Sequence, residues 1–400
     1  MSSLDLSRDA RSYRLSNIDM LRGLVIVIMA IDHVRDYFHA DVTMDALNQP
    51  DVPLSLFLTR WVTHFCAPVF IFLAGTSAGL MATRKSPAEL GGFLVRRGLW
   101  LIFIEVTVIS TAWTFAPNGV AAAGGAVLVI LQVIWAIGAS MVALGVTQFL
   151  GPRGCLLLGL AIVFGHNALD LLWPEPDLLS GTSSPLFLLF YQGSYQIGPL
   201  LLIGVYPLLA WFGVMLLGFG SAFIFTWEAA RRDRMLAIIG LVLIVTFFLL
   251  RGLGYYGDSN DWTLHGNFTS TAMDFMNVTK YPPSLLYLMI TLGPMLLICA
   301  AGDRLGGRLK ETLVMFGRVP FAFYILHLYL IHALALLLGL WQGYTPGQFL
   351  VPFMFLPEDY GIGLPAVYLV WALVILMLYP VCNWFAGLKS RRKDWWLSYL

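Results

Sequence analysis

Ten stretches of the chain, about 20–38, 63–82, 93–114, 126–148, 154–173, 200–226, 235–253, 283–301, 313–340 and 364–388, are apolar over a length that can cross a lipid bilayer. A crossing helix needs roughly 20 mostly apolar residues. Lipid holds no water to take up backbone N–H and C=O groups, so each crossing must bond them internally, as a helix does. The expected fold is all-α, a polytopic integral membrane bundle of about ten transmembrane helices. Composition agrees: 58% of residues are hydrophobic and 12% are charged, whereas a soluble domain carries about a quarter charged residues. No repeat, low-complexity run or linker divides the chain, which reads as one domain over 1–400, with 1–19 and 389–400 as cytoplasmic segments.

Positive charge tests the count. With the N-terminus in the cytoplasm and sides alternating, twenty Lys and Arg residues fall inside and only Arg35, Arg60, Arg251 and Lys280 outside. That bias follows the positive-inside rule and puts both termini in the cytoplasm. The outer connections near 39–62, 174–199, 254–282 and 341–363 include the longer loops. The first apolar run ends in "IDHVRDYF", which resembles no signal-peptide cleavage site, so the segment is expected to stay as the first span.

The net charge of +1 gives no reason to expect a nucleic-acid partner. Cys66, Cys155, Cys299 and Cys382 lie apart with no CxxC spacing, so buried thiols are expected rather than a disulfide framework or zinc site. The sequence has no HExxH and no carboxylate-rich cage, so no metal is expected. It also has no Walker lysine loop, no GxGxxG after a strand and no GxSxG elbow, which leaves nucleotide hydrolysis, dinucleotide binding and serine-hydrolase chemistry unsupported.

Ionisable residues inside a span are costly and mark function by default. In "IDMLRGLVIVIMAIDHVRDYFH", Arg22 and His33 are eleven residues apart, hence about 20° apart around a helix and about 16 Å apart along it. Asp36 lies one turn from His33 on the same side; Asp32 points elsewhere, towards another helix or an arginine. The second span opens with "TRWVTHFCAPVFIFLAGTSAGL", in which Arg60, Trp61 and His64 approach the membrane from outside. The hairpin returns His64 to about the level of His33, and two histidines with carboxylates there suit general-base chemistry. Gly75 and Gly79 make a small-xxx-small contact surface for another helix. The bland alternatives are that Arg22 snorkels to phospholipid and His33 only packs. Glu105, Gln132 and His332 read singly as helix-to-helix hydrogen bonders, and His327 as a packing residue. His327 and His332, five apart, cannot share a metal as an i,i+4 pair would.

"RLSNIDMLRGLVIVIMAIDHVRDYF", "THFCAPVFIFLAGTSAGL", "FGRVPFAFYILHLYLIHAL" and "RRKDWWLSYL" resemble bacterial relatives of the heparan-alpha-glucosaminide N-acetyltransferase catalytic-domain family. The Arg22-to-His33 spacing is similar to the Arg-x10-His signature of the wider transmembrane acyltransferase superfamily. The resemblance implies a membrane enzyme, in a bacterial cytoplasmic membrane, that takes an acetyl or acyl group from cytosolic acyl-CoA. The group would go to an amine or hydroxyl of an extracytoplasmic sugar or glycan. His33, His64 and Asp36 would be catalytic, with Arg22, Asp32, Arg35, His39, Arg60 and Trp61 binding substrate. Which of His33, His39 and His64 is the base stays open, as does assembly into a homodimer. The bottom-up reading agrees: a thin pantetheine arm of roughly 15–20 Å matches the helix rise from Arg22 to His33.

The competing reading is a proton-coupled transporter of a saccharide or lipid, with His33 and Asp36 relaying protons. Such proteins show paired repeats and broken helices at corresponding positions, and the sequence displays none. A structural scaffold explains the intramembrane histidines least well.

Overall fold

The computed structural model describes residues 3–40, 52–171, 180–302, 304–392, 394 and 397. Stretches 41–51 and 172–179 of the expected outer connections, and most of the tail after 392, lie outside the described residues. The chain is mostly helical. Among the described residues, six helical runs are long and apolar enough to cross a membrane: Leu54–Ala82, Val133–Asp170, Leu208–Thr226, Ala229–Leu253, Pro320–Trp341 and Leu364–Arg391.

Helix α1 (Ser3–Phe38) is followed by α2 (Leu54–Thr63) and α3 (Cys66–Ala82). Next, α4 (Pro87–Ile104) passes through a π-helical turn (Glu105–Ile109) into α5 (Ser110–Thr114). Strand β1 (Val127–Leu131) feeds α6 (Val133–Thr147), and α7 (Gly151–Gly165) returns. After the short α8 (Phe187–Phe190), β2 (Gly193–Ile197) and β3 (Leu200–Gly204) lead into α9 (Leu208–Ser221). The remainder is α10 (Ala229–Leu253), α11 (Phe268–Met276), α12 (Leu285–Ala301), α13 (Gly307–Arg318), α14 (Pro320–Trp341) and α15 (Leu364–Arg391).

Lipid supplies no hydrophobic drive between helices, so close contact relies on small residues. A Cβ at Gly23 would strike the Leu313 carbonyl oxygen, and one at Gly317 would strike that of Asp19. Those two contacts, four residues apart and in opposite order, lock α13 antiparallel against the Arg22 end of α1. Gly75 meets the Met215 carbonyl and Gly79 meets Ala222. The expected small-xxx-small contact is therefore made, with α9 and the turn after it.

The all-α expectation needs correcting. Three strands pair in the order β1-β3-β2, with β1 and β3 parallel from Val127↔Leu200 to Leu131↔Gly204. The stretches 126–148 and 200–226 are thus strand-then-helix units, not continuous helices. A short apolar run cannot declare helix or strand by periodicity. Strand pairing is tolerated here because the neighbouring strands take up the backbone groups. In this sheet β1 lies at an edge and β3 in the middle, and each runs directly into a helix. The stretch 313–340 also divides, at Val319, where Pro320 opens α14; proline is tolerated in a first helical turn and not in an interior one.

Candidate active site

Two cavities lie end to end along α1. One, of about 440 Å³, is lined by Asp32, His33, Arg35, Asp36, Arg60 and His64, among others. The other, of about 390 Å³, is lined by Asp19, Arg22, Ser77, Arg97, Arg318 and Lys389, with apolar side chains between them. They share Met29, Phe70, Val133 and Tyr324, which form a waist between the Arg22 end and the His33 end.

The carboxylates of the His33 end are engaged. Asp32 accepts from Arg60 Nη1 on both oxygens, at 2.7 and 2.6 Å. Arg35 Nη2 lies 3.2 Å from the same carboxylate and Lys280 Nζ 3.9 Å. Arg35 also pairs with Asp36. Asp32 therefore bridges α1, α2 and the loop after α11, which fits its expected turn towards an arginine. A buried charge is tolerable only when so compensated.

His33 leaves this ionic frame and meets a second imidazole. Its Nδ1 is 2.7 Å from His327 Nε2, and His327 Nδ1 is 3.0 Å from the Phe323 carbonyl oxygen. A carbonyl only accepts, so His327 Nδ1 carries hydrogen and its Nε2 is the acceptor in the neutral ring. His33 Nδ1 is then the donor, and its Nε2 is left as a lone pair. The chain of bonds fixes the His33 tautomer, as an orienting partner does for a catalytic histidine. His327 is thus not a mere packing residue, contrary to expectation. Sequence separation hid this: a single histidine in "FYILHLYL" carries no signal of a partner 294 positions away.

His64 lines the same cavity as His33, and its Nδ1 is buried with no hydrogen-bond partner among the described residues. Its carbonyl accepts from Tyr287 Oη at 2.7 Å. Cys66 also lines this cavity and donates to the Val25 carbonyl at 3.1 Å. His39 and Trp61 line neither cavity. His39 pairs with Ile362 in an isolated β-bridge, and Trp61 Nε1 donates to the Met276 carbonyl at 3.2 Å. Arg22 donates to Ser77 Oγ and, at 3.3 Å, to the Leu73 carbonyl, and it pairs with Asp19.

Other buried polar groups serve the frame. Glu105 accepts from the backbone N–H of Gln132 and of Trp135, each at 3.0 Å, and so caps α6 where β1 ends. His332 lies 2.8 Å from the Ala112 carbonyl and 2.7 Å from that of Phe349. Asn167 Oδ1 accepts from Leu285 N–H at 2.8 Å, at the start of α12. The loop over the His33 end is held by Arg251, which donates to the carbonyls of Asn260, Asp274, Phe275 and Asn277. Among the described residues no group of three His, Cys, Asp or Glu side chains could hold a metal ion.

The family model for the catalytic region of heparan-alpha-glucosaminide N-acetyltransferase matches residues 14–248, more than half of the chain. That span contains Arg22, His33 and His64; Tyr324 and His327 lie beyond it. No curated protein matches the chain.

Proposed function

The chain belongs to the heparan-alpha-glucosaminide N-acetyltransferase catalytic family, and from that premise we propose that it is an integral membrane acyltransferase using cytosolic acyl-CoA. It passes the acyl group to an amine or hydroxyl of an extracytoplasmic sugar, in a bacterial cytoplasmic membrane, with residues 1–400 as one catalytic unit. The carrying observation is the pair of cavities that lie end to end along α1 and share four lining residues, basic at one end and histidine-bearing at the other. A donor with a phosphorylated head and a thin arm fits such a shape.

In this reading Arg22, Arg97, Arg318 and Lys389 hold the CoA phosphates through charge-assisted bonds. The pantetheine arm threads the waist, and the thioester reaches His33 about 16 Å along the helix. The acceptor enters from the opposite side, beneath the loop that carries Lys280. His33 Nε2 takes its proton as the nucleophile attacks the thioester carbon. The C–S bond then breaks, and the departing thiolate takes that proton from His33. His327 keeps Nδ1 of His33 as the donor throughout, which leaves Nε2 as the base. Asp32 and Asp36 hold Arg35 and Arg60 in place, and His64, in the turn between α2 and α3, faces the acceptor.

The test is direct. Purified chain in lipid nanodiscs is given radiolabelled acetyl-CoA and a glucosamine-bearing oligosaccharide, with free CoA as competitor. Label transferred to the sugar, and blocked by CoA, is expected. Failure to bind CoA at all would sink the proposal.

A further inference from the structure

Two hydrogen-bond donors beside His33 have no acceptor. The Tyr324 hydroxyl and the Trp113 indole N–H are both buried without a partner among the described residues. Trp113 leans towards the Tyr324 hydroxyl without reaching hydrogen-bond geometry. Both rings stand edge-on to His33, with centroids 5.0 Å away for Trp113 and 6.3 Å for Tyr324. A buried donor with nothing to donate to carries its whole desolvation cost, and in a native structure such a group calls for an explanation.

Position supplies one. Tyr324 is among the four residues that line both cavities, and the other three, Met29, Phe70 and Val133, are apolar. It is the polar group at the waist. What the two donors lack is an oxygen acceptor at the level of His33, delivered by something that occupies the waist. A packing role would have no use for the hydroxyl, since phenylalanine fills the same space.

We infer that Tyr324 is a catalytic residue: its hydroxyl donates to the thioester carbonyl oxygen of bound acyl-CoA, with the Trp113 N–H as a second donor. The inference rests on the acyl-CoA reading above. As the acceptor attacks the carbonyl carbon, the C=O π pair moves onto oxygen, and the two donors hold that negative charge. Collapse restores C=O and expels the CoA thiolate, which recovers its proton from His33; Tyr324 keeps its own proton. Donors fixed in a water-poor site need no reorganisation as charge develops, which is why such groups contribute heavily to catalysis.

The test avoids the unidentified acceptor by using binding. Acetyl-CoA and S-ethyl-CoA differ chiefly in the carbonyl oxygen, and their affinities are measured for the full wild-type chain and for Tyr324→Phe in nanodiscs. Wild type is expected to favour acetyl-CoA by about two- to tenfold, the worth of one net hydrogen bond. Tyr324→Phe is expected to lose most of that preference, the Trp113 N–H keeping the remainder, with a melting midpoint unchanged or raised because an unpartnered buried hydroxyl has gone. A preference undiminished in Tyr324→Phe, or absent in wild type, overturns the assignment and leaves the acyl-CoA reading standing. A lowered melting midpoint also overturns it, because the hydroxyl would then have had a structural partner. Wild type binding neither compound overturns both.

Discussion

At the Arg22 end of α1, four cations (Arg22, Arg97, Arg318 and Lys389) line a cavity with one carboxylate, Asp19. At the His33 end, three cations (Arg35, Arg60 and Lys280) share their cavity with two carboxylates, Asp32 and Asp36. Among the described residues the surplus is three positive charges at one end and one at the other. The larger surplus, in the first cavity, suits a mobile polyanion. In the second the charges neutralise each other and build a stiff polar frame around an imidazole. On the proposed reading one helix presents a binding end and a reacting end, and substitutions at the two should fail in different ways.

The largest effect should come from the reacting end. His33→Ala is expected to lower transfer by about 10²–10⁴, the usual worth of a general base, while acyl-CoA affinity stays within about twofold. A base acts on the acceptor's proton in the transition state and contributes little to holding the donor. His327→Ala should cost less and only in kcat, with partial rescue by His327→Gln, whose amide oxygen can accept from His33 Nδ1. Turnover measured per folded molecule decides this. If the His327 variants lost protein yield but kept specific activity, the fixed tautomer would have no catalytic part.

Next in size is the frame itself. Asp32→Asn leaves Arg60, Arg35 and Lys280 without their shared counter-charge. Removing one partner of a buried ion pair costs about 3–5 kcal/mol, so the melting midpoint should fall sharply. Asp19→Asn at the other end should do far less, because Asp19 sits more openly, 19% exposed against 11% for the Asp32 side chain. Equal losses at the two ends would erase the contrast.

Arg22→Ala should be milder than either. A charge-assisted hydrogen bond is worth about 1.5–3 kcal/mol, so KM for acyl-CoA should rise roughly ten- to hundredfold with kcat little changed, the mark of lost ground-state binding. An unchanged KM would leave Arg22 as a structural tie from α1 to Ser77 and the Leu73 carbonyl on α3.

How much of this contrast the sequence displays depends on how local each contact is. Arg22, His33 and Asp36 share one helix, so spacing alone puts them on one face. Gly75 and Gly79 declare a contact surface, though not that α9 fills it. The strands at 127–131 and 200–204 were not legible, because "VLVIL" and "LLLIG" suit a buried helix equally well. Nor could periodicity show that His327 reaches His33, or that Tyr324 stands at the waist, since both depend on how α14 is docked against α1. The site's charges were readable; its hydrogen-bond partners from α14 were not.

The smallest effect concerns the loop that covers only the reacting end. Its residues Asn260 and Asn277–Tyr281 line the His33 cavity, and Asp274 ties the loop to itself. Partial burial pulls the Asp274 carboxyl up, but hydrogen bonds from the Thr263 backbone and hydroxyl and from His265 outweigh it and hold the group below the usual carboxylate range. A carboxylate with a depressed folded pKa adds stability above its unfolded value, about 3.9. That stability is lost as pH falls through the folded value. Asp274→Asn should therefore melt slightly lower than wild type at pH 6, and the difference should shrink as pH falls through the folded-state value, where the wild-type group is protonated too. The gap should be small, because Asp274 is partly open to water, where ionic contributions are screened. A gap that persists unchanged into acid would mean that the loop relies on the shape of Asp274 and not on its charge.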